Sequence, residues 1–166
     1  MSAGLRRLGA ALVMALVAGC GFQLRGELSL PPELATMRVQ VADTYSPLQR
    51  NLEQALIHSG VRMAVGKEAS AVLHISKNRM TRWPLTVGSA GRVQEYAMRY
   101  LVTVRLVDAE GTVVVPTQDI QLERSYQFET IRAQGTPGEE EVVRAELERD
   151  MVQAILRRID AVLTER

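Results

Sequence analysis

Cys20 is the only thiol in this chain of 166 residues, so no disulfide can form within it and its stability must come from packing. Imidazole is almost as scarce. His58 and His74 are the two histidines, and without cysteine partners or an HExxH spacing each reads as structural or exposed rather than as a metal ligand. There is no GxSxG segment and no phosphate-cradling glycine loop: Gly88 and Gly91, around Ser89-Ala90, read as a strand connection. Glu139, Glu140 and Glu141 read as a helix start rather than as catalytic carboxylates. These absences point away from an enzyme and from any cofactor. Nor is there an excess of one charge. The formal net charge is +1, and near −1 once Arg6 and Arg7 are removed, so no global basic field is available for nucleic acid. No repeat or low-complexity tract is visible, and no apolar run reaches the roughly 20 residues that a membrane-crossing helix needs.

What is present begins with an address label. Arg6 and Arg7 precede an apolar run over residues 8–17, and the small residues Ala18 and Gly19 follow, the layout of a cleaved signal peptide. Leu16-Val17-Ala18-Gly19-Cys20 has the order of a bacterial lipobox: branched apolar, small, small, cysteine. The thiol is the nucleophile that takes a diacylglyceryl group. Cleavage is then expected to leave Cys20 as the first residue, S-linked to diacylglycerol and N-acylated. Several acyl chains anchor a protein stably where one does not. Gly21 stands where an acidic residue would signal inner-membrane retention, so the outer membrane is the expected destination. The expected division is a lipoprotein signal peptide over residues 1–19, a lipidated tether over 20–35, and a single domain over 36–166. About 147 residues remain from Cys20 onward, enough for one proper core.

Met37-Arg38-Val39-Gln40-Val41 alternates strictly and predicts a half-buried strand after the Pro31-Pro32 linker. Ser46-Pro47-Leu48-Gln49 matches a capping box with proline at the first helical position. Leu48, Leu52, Ala55, Leu56 and Ser59 then share one helical face, and Gly60 closes the helix. Ala71, Leu73 and Ile75 alternate with Val72, His74 and Ser76 in a second strand, which Trp83-Pro84 is expected to end or bend. From Tyr96, the residues Met98, Tyr100, Val102, Val104 and Leu106 oppose Arg99, Thr103 and Arg105. Asp108-Ala109-Glu110-Gly111 is a turn, after which Ile120, Leu122, Tyr126 and Phe128 oppose Gln121, Glu123, Ser125 and Gln127. The result is a long antiparallel hairpin, with Pro116 marking a bulge or an edge. Thr136-Pro137-Gly138-Glu139 reads as a second capping box. Its helix has Glu139, Glu140 and Glu141 at the positive dipole end, Arg157 and Arg158 near the negative end, and an apolar stripe of Val143, Leu147, Met151, Ala154, Ile155 and Val162. The expected fold is α+β, a two-layer sandwich in which a four-stranded mixed β-sheet carries two α-helices on one face.

That architecture leaves a polar sheet face of Arg99, Thr103, Arg105, Gln121, Glu123, Ser125 and Gln127 without an element of its own to rest on. It can be a solvated face or one that lies against the polar lumen of a transmembrane barrel. A local basic excess (Lys77, Arg79, Arg82, Arg92, Arg99 and Arg105 against Glu95) surrounds Trp83 and Pro84. Guanidinium groups grip phosphates bidentately, which makes Arg82 and Arg92, with Arg132 from the loop before the last helix, candidate contacts for the phosphate of an anionic glycolipid.

Cys20-Gly21-Phe22-Gln23-Leu24-Arg25-Gly26 resembles the mature start of the LptE family of lipopolysaccharide-assembly lipoproteins. Gly91-Arg92-Val93-Gln94-Glu95-Tyr96-Ala97-Met98 is similar to the entry of that family's central strand, and Arg124-Ser125-Tyr126 is similar to the end of its next one. The resemblance implies an outer-membrane lipoprotein that sits inside the β-barrel LptD, helps it assemble, and forms with it the complex that inserts lipopolysaccharide at the cell surface. LptD, lipopolysaccharide and outer-membrane lipid are the partners so implied. Two rivals stay open: an auxiliary lipoprotein of another lipid-exporting ABC transport system, and a lipid-anchored periplasmic hydrolase.

Overall fold

Alternating apolar residues build the sheet of the computed structural model, which describes the chain over residues 34–43, 46–66, 68–88, 91–127 and 138–165. Strand β1 (Thr36–Val41) buries Met37, Val39 and Val41 and turns Arg38 and Gln40 away. It runs parallel to β3 (Ala71–Val87), pairing at residues 71–75. β3 is antiparallel to β4 (Val93–Asp108), and β4 to β5 (Val113–Gln127). The sheet has five strands rather than the expected four. The extra one, β2 (Arg62–Met63), pairs parallel with β1 at the edge, giving the order β2-β1-β3-β4-β5. Two residues are too few to show any hydrophobic period, so β2 leaves no trace in the sequence pattern.

Trp83-Pro84 does not end the second predicted strand but disturbs it: the register against β4 slips between Pro84 and Thr86. β3 continues to Val87, with Pro84 opposite Tyr96. Beyond Ile75 it has no neighbour on its β1 side among the described residues, so a proline there forfeits no ladder bond with them. Pro116 behaves as expected. It lies on the edge strand β5, where the register slips against β4 between Val104 and Leu106. The β4–β5 turn closes on Gly111 at φ +85°, with the Thr112 N–H donating to Asp108 Oδ1 at 2.7 Å.

Helix α1 (Pro47–His58) starts at Ser46, whose Oγ accepts the Leu48 N–H at 3.2 Å. The reciprocal half of the capping box is absent: Gln49 donates to Glu53 at 2.9 Å instead. At the other end Gly60 adopts φ +86°, the Gly60 N–H reaches Ile57 O, and the Val61 N–H reaches Leu56 O, both at 3.0 Å, the two bonds of a Schellman motif. Leu48, Leu52 and Leu56 are fully buried, each worth about 1.5–3 kcal/mol of transfer free energy.

Helix α2 (Glu139–Thr164) is preceded by Gly138, which has no side chain to cap it. The predicted second capping box therefore does not form the start of the helix, and its Thr136 lies outside the described residues. Glu139, Glu140 and Glu141 do occupy the first turn. Because the helix runs on to Thr164, Arg157 and Arg158 fall short of its last turn, where the dipole has its effect. Arg158 instead donates to Gln118 of β5. The buried stripe holds Val143, Leu147, Met151 and Ile155 as expected, and adds Val152, Leu156 and Ile159. Both helices pack on one side of the sheet in a single core with Met98, Tyr100, Val102, Val104 and Leu106 of β4. Leu34, just before β1, is already buried in it.

Candidate functional site

Strand alternation turns a second set of side chains away from the helices: Lys77, Arg79, Thr81 and Trp83 from β3, Ala97, Arg99, Leu101, Thr103 and Arg105 from β4, and Asp119, Gln121, Glu123, Ser125 and Gln127 from β5. All seven residues of the predicted polar face lie on this side. Cross-strand register then pairs them with one another. Thr103 donates to Asp119 at 2.6 Å. Arg99 reaches Glu123 through Nε and Nη2, each at 3.2 Å, while its guanidinium lies 4.8 Å from the centre of the Trp83 ring. Ala97 and Thr103 are buried on this face although, among the described residues, no helix covers it. The two cross-strand pairs satisfy part of the face's polarity, and Gln121, Ser125 and Gln127 stay exposed on it. His74 lies opposite Arg105 on the same side. Burial first, then repulsion from Arg105 and Arg38, lowers its pKa below the usual 6.5.

Arg82 points to the other side. Opposite Met98, on the helix-bearing face, it pairs with Glu140 of α2 and lies 4.6 Å over the Tyr96 ring. Tyr96 stacks on Tyr126 with centroids 5.9 Å apart, and the Tyr126 hydroxyl donates to Glu140 at 2.9 Å. Arg144 adds a second cation to Glu140 at 3.4 Å. Burial pushes the Glu140 carboxyl up, but the Tyr126 hydroxyl, Arg82 and Arg144 together outweigh it and hold the group below its usual value. This cluster fastens the start of α2 to the hairpin. The cross-strand register reveals that Tyr96 and Tyr126 face each other.

Arg92 sits where β3 returns into β4, its carbonyl accepting the Gly88 N–H at 2.8 Å. Its side chain is exposed, and among the described residues no carboxylate pairs with it. Beside it Leu85 and Val87 are 53% and 58% exposed. Arg82 and the end of β3 are five residues apart, roughly 17 Å of strand, so the two arginines do not converge on one phosphate. Arg132 and Cys20 lie outside the described residues, as does Phe128. Among the described residues no cluster of histidine and carboxylates has metal-binding geometry, and no helix is long and apolar enough to cross a membrane.

Similarity to known proteins follows the same fold. The chain is 25% identical over 155 residues to the LPS-assembly lipoprotein LptE of Pectobacterium atrosepticum, covering 89% of this chain and 80% of that one. It is 28% identical over 158 residues to its namesake in Yersinia enterocolitica, covering 89% and 72%. Among solved structures, the solution structure of an uncharacterized lipoprotein B from Nitrosomonas europaea superposes with a TM-score of 0.73 at 26% identity, over 87% of this chain and 93% of that one. The rare lipoprotein B of Shewanella oneidensis shares the fold, with a TM-score of 0.67 at 19% identity over 78% and 97%. A family model described as LptE, Lipopolysaccharide-assembly, matches residues 34–159, from Leu34 just before β1 to Ile159 in α2, and the chain belongs to that family.

Proposed function

We propose that this lipoprotein is tethered to the outer membrane through a lipid on Cys20 and stands inside the barrel of LptD, with which it inserts lipopolysaccharide at the cell surface. As an LptE family member it is a non-enzymatic component of lipopolysaccharide assembly that needs no cofactor. The observation that carries the barrel reading is the helix-free sheet face. Arg99 with Glu123 and Thr103 with Asp119 are paired across the strands, while the exposed Gln121, Ser125 and Gln127 offer donors and acceptors that a polar wall can meet, and unmade hydrogen bonds are the main penalty for covering polar surface. The lumen of a large barrel is such a wall. Purification from outer membranes in mild detergent tests it: LptD should be retained at one copy per copy. Recovery of a transporter or a soluble chaperone in its place would favour the lipid-exporting ABC alternative.

Lipopolysaccharide contact is assigned to Arg92 at the hairpin end, to Arg132, and to Arg82, which meets a separate phosphate by exchanging its partner Glu140 for it. The exposed Leu85 and Val87 offer apolar surface for acyl chains. The Arg82→Ala/Arg92→Ala double variant should lose most of the affinity of the detergent-solubilised protein for purified lipopolysaccharide. Unchanged binding removes this site.

A further inference from the structure

Among the described residues, β3 beyond Ile75 has a neighbour on one side only. Ile75 O accepts the Ala42 N–H at 3.0 Å, so at that residue the main chain faces β1. Pair types alternate along an antiparallel ladder. β3 carries one extra residue between Ile75 and Lys77, so the alternation is counted along β4: Val104, Val102, Tyr100, Met98 and Tyr96 share one parity, and Asn78, Met80, Arg82 and Pro84, opposite the last four, turn their main chains toward the open side as Ile75 turns its own toward β1. Pro84, with no N–H to give, fits that side. Among the described residues no backbone hydrogen bond reaches this edge from outside.

The edge is also cationic. Lys77 and Arg79 flank it on the helix-free face. On the helix-bearing face Arg82 and Arg144 share one carboxylate, Glu140, and Arg144 Nη1 lies 3.4 Å from Met80 Sδ. Lysine and proline on an edge guard against indiscriminate pairing, and two copies of this one would repel each other. A strand carrying carboxylates opposite Lys77 and Arg79 would instead gain cross-strand attraction.

We propose that residues 77–83 of β3 are a docking edge for an extended, acidic strand of a partner protein, which joins the sheet on its open side. Such a partner would be held by main-chain bonds and selected by charge. The surface is the sheet's edge, distinct from its helix-free face, and the proposal stands without the barrel reading.

The test uses the full lipidated protein in detergent and a capped synthetic peptide of about eight residues alternating Glu and Val, the usual length of a strand, with a Lys/Val peptide as its opposite. The acidic peptide should slow amide exchange at Asn78, Met80 and Arg82 at least about tenfold, and the basic peptide should not. N-methylating alternate nitrogens of the acidic peptide should abolish the effect. The Lys77→Glu/Arg79→Glu variant should reverse the preference. Met80→Pro, at another position whose N–H points outward, should keep the fold and lose the peptide; if it unfolds, the N-methylated peptide makes the same distinction. No slowing at those three amides overturns the proposal. So does slowing that ignores N-methylation, and so does slowing that rises with protein concentration alone, which would make a second copy the occupant.

Discussion

Tyr100 brings its hydroxyl into the core because a chain of polar groups receives it. It donates to Asn78 Oδ1 at 2.7 Å, Asn78 donates onward to Ser46 Oγ, and Ser46 caps α1. Burial first, then the charge of Glu148, pushes the Tyr100 hydroxyl well above the usual phenol range. Tyr100→Phe leaves Asn78 with an unmet acceptor, and urea denaturation should show a loss of about 1–2 kcal/mol. His74 ties stability to pH. In the folded protein its pKa lies below 6.5, so as pH falls below that value the unfolded chain takes up a proton that the folded chain resists. Stability declines there and levels off once the folded imidazole is also protonated. Between about pH 7.5 and about pH 5, the interval in which histidine titrates, the denaturation midpoint of the His74→Gln variant should fall less than that of the parent. Neither feature was visible in the sequence beyond its residue type. His74 reads as one polar position in a strand, and its two arginine neighbours come from other strands.

Two kinds of bond attach α2 to the sheet, and they differ in weight. Arg124 donates to Glu146 and Asp150, both at 2.7 Å, but all three side chains are more than a third exposed. Solvent-exposed pairs contribute little, so Arg124→Ala should lower stability by no more than about 1 kcal/mol. Met151 is fully buried between the helix and the sheet, and Met151→Ala should lower it by about 2–5 kcal/mol. Denaturant midpoints of the two variants, measured side by side, check the ordering. Apolar periodicity made α1, α2 and the β4–β5 hairpin legible, because each is long enough to repeat. Capping was half legible: Ser46 works as the pattern promised, while Gln49 turns to Glu53 and α2 starts on Gly138. Those outcomes depend on which partner lies within reach.

At the scale of the whole molecule, the helices cover one face of the sheet, and among the described residues no element covers the other. If that face lies against a barrel wall, bulk added there should block assembly without harming the fold. Gln121 and Ser125 are exposed on it, and a Gln121→Trp/Ser125→Trp variant should unfold at an unchanged midpoint yet recover several-fold less barrel protein on purification from outer membranes. An undiminished yield would mean that the face points elsewhere.

The sequence by itself determined the α+β class, the two helices, the long hairpin and the polarity of its far side, because hydrophobic period and turn chemistry are local properties written within one element. Only tertiary structure decided the fifth strand, the passage of β3 through Pro84 and the turning of Arg82 toward Glu140 rather than toward Arg92. Each of these depends on what stands beside a strand: an edge forgives a proline, a neighbour recruits two residues into a ladder, and one register position settles which face a cation serves.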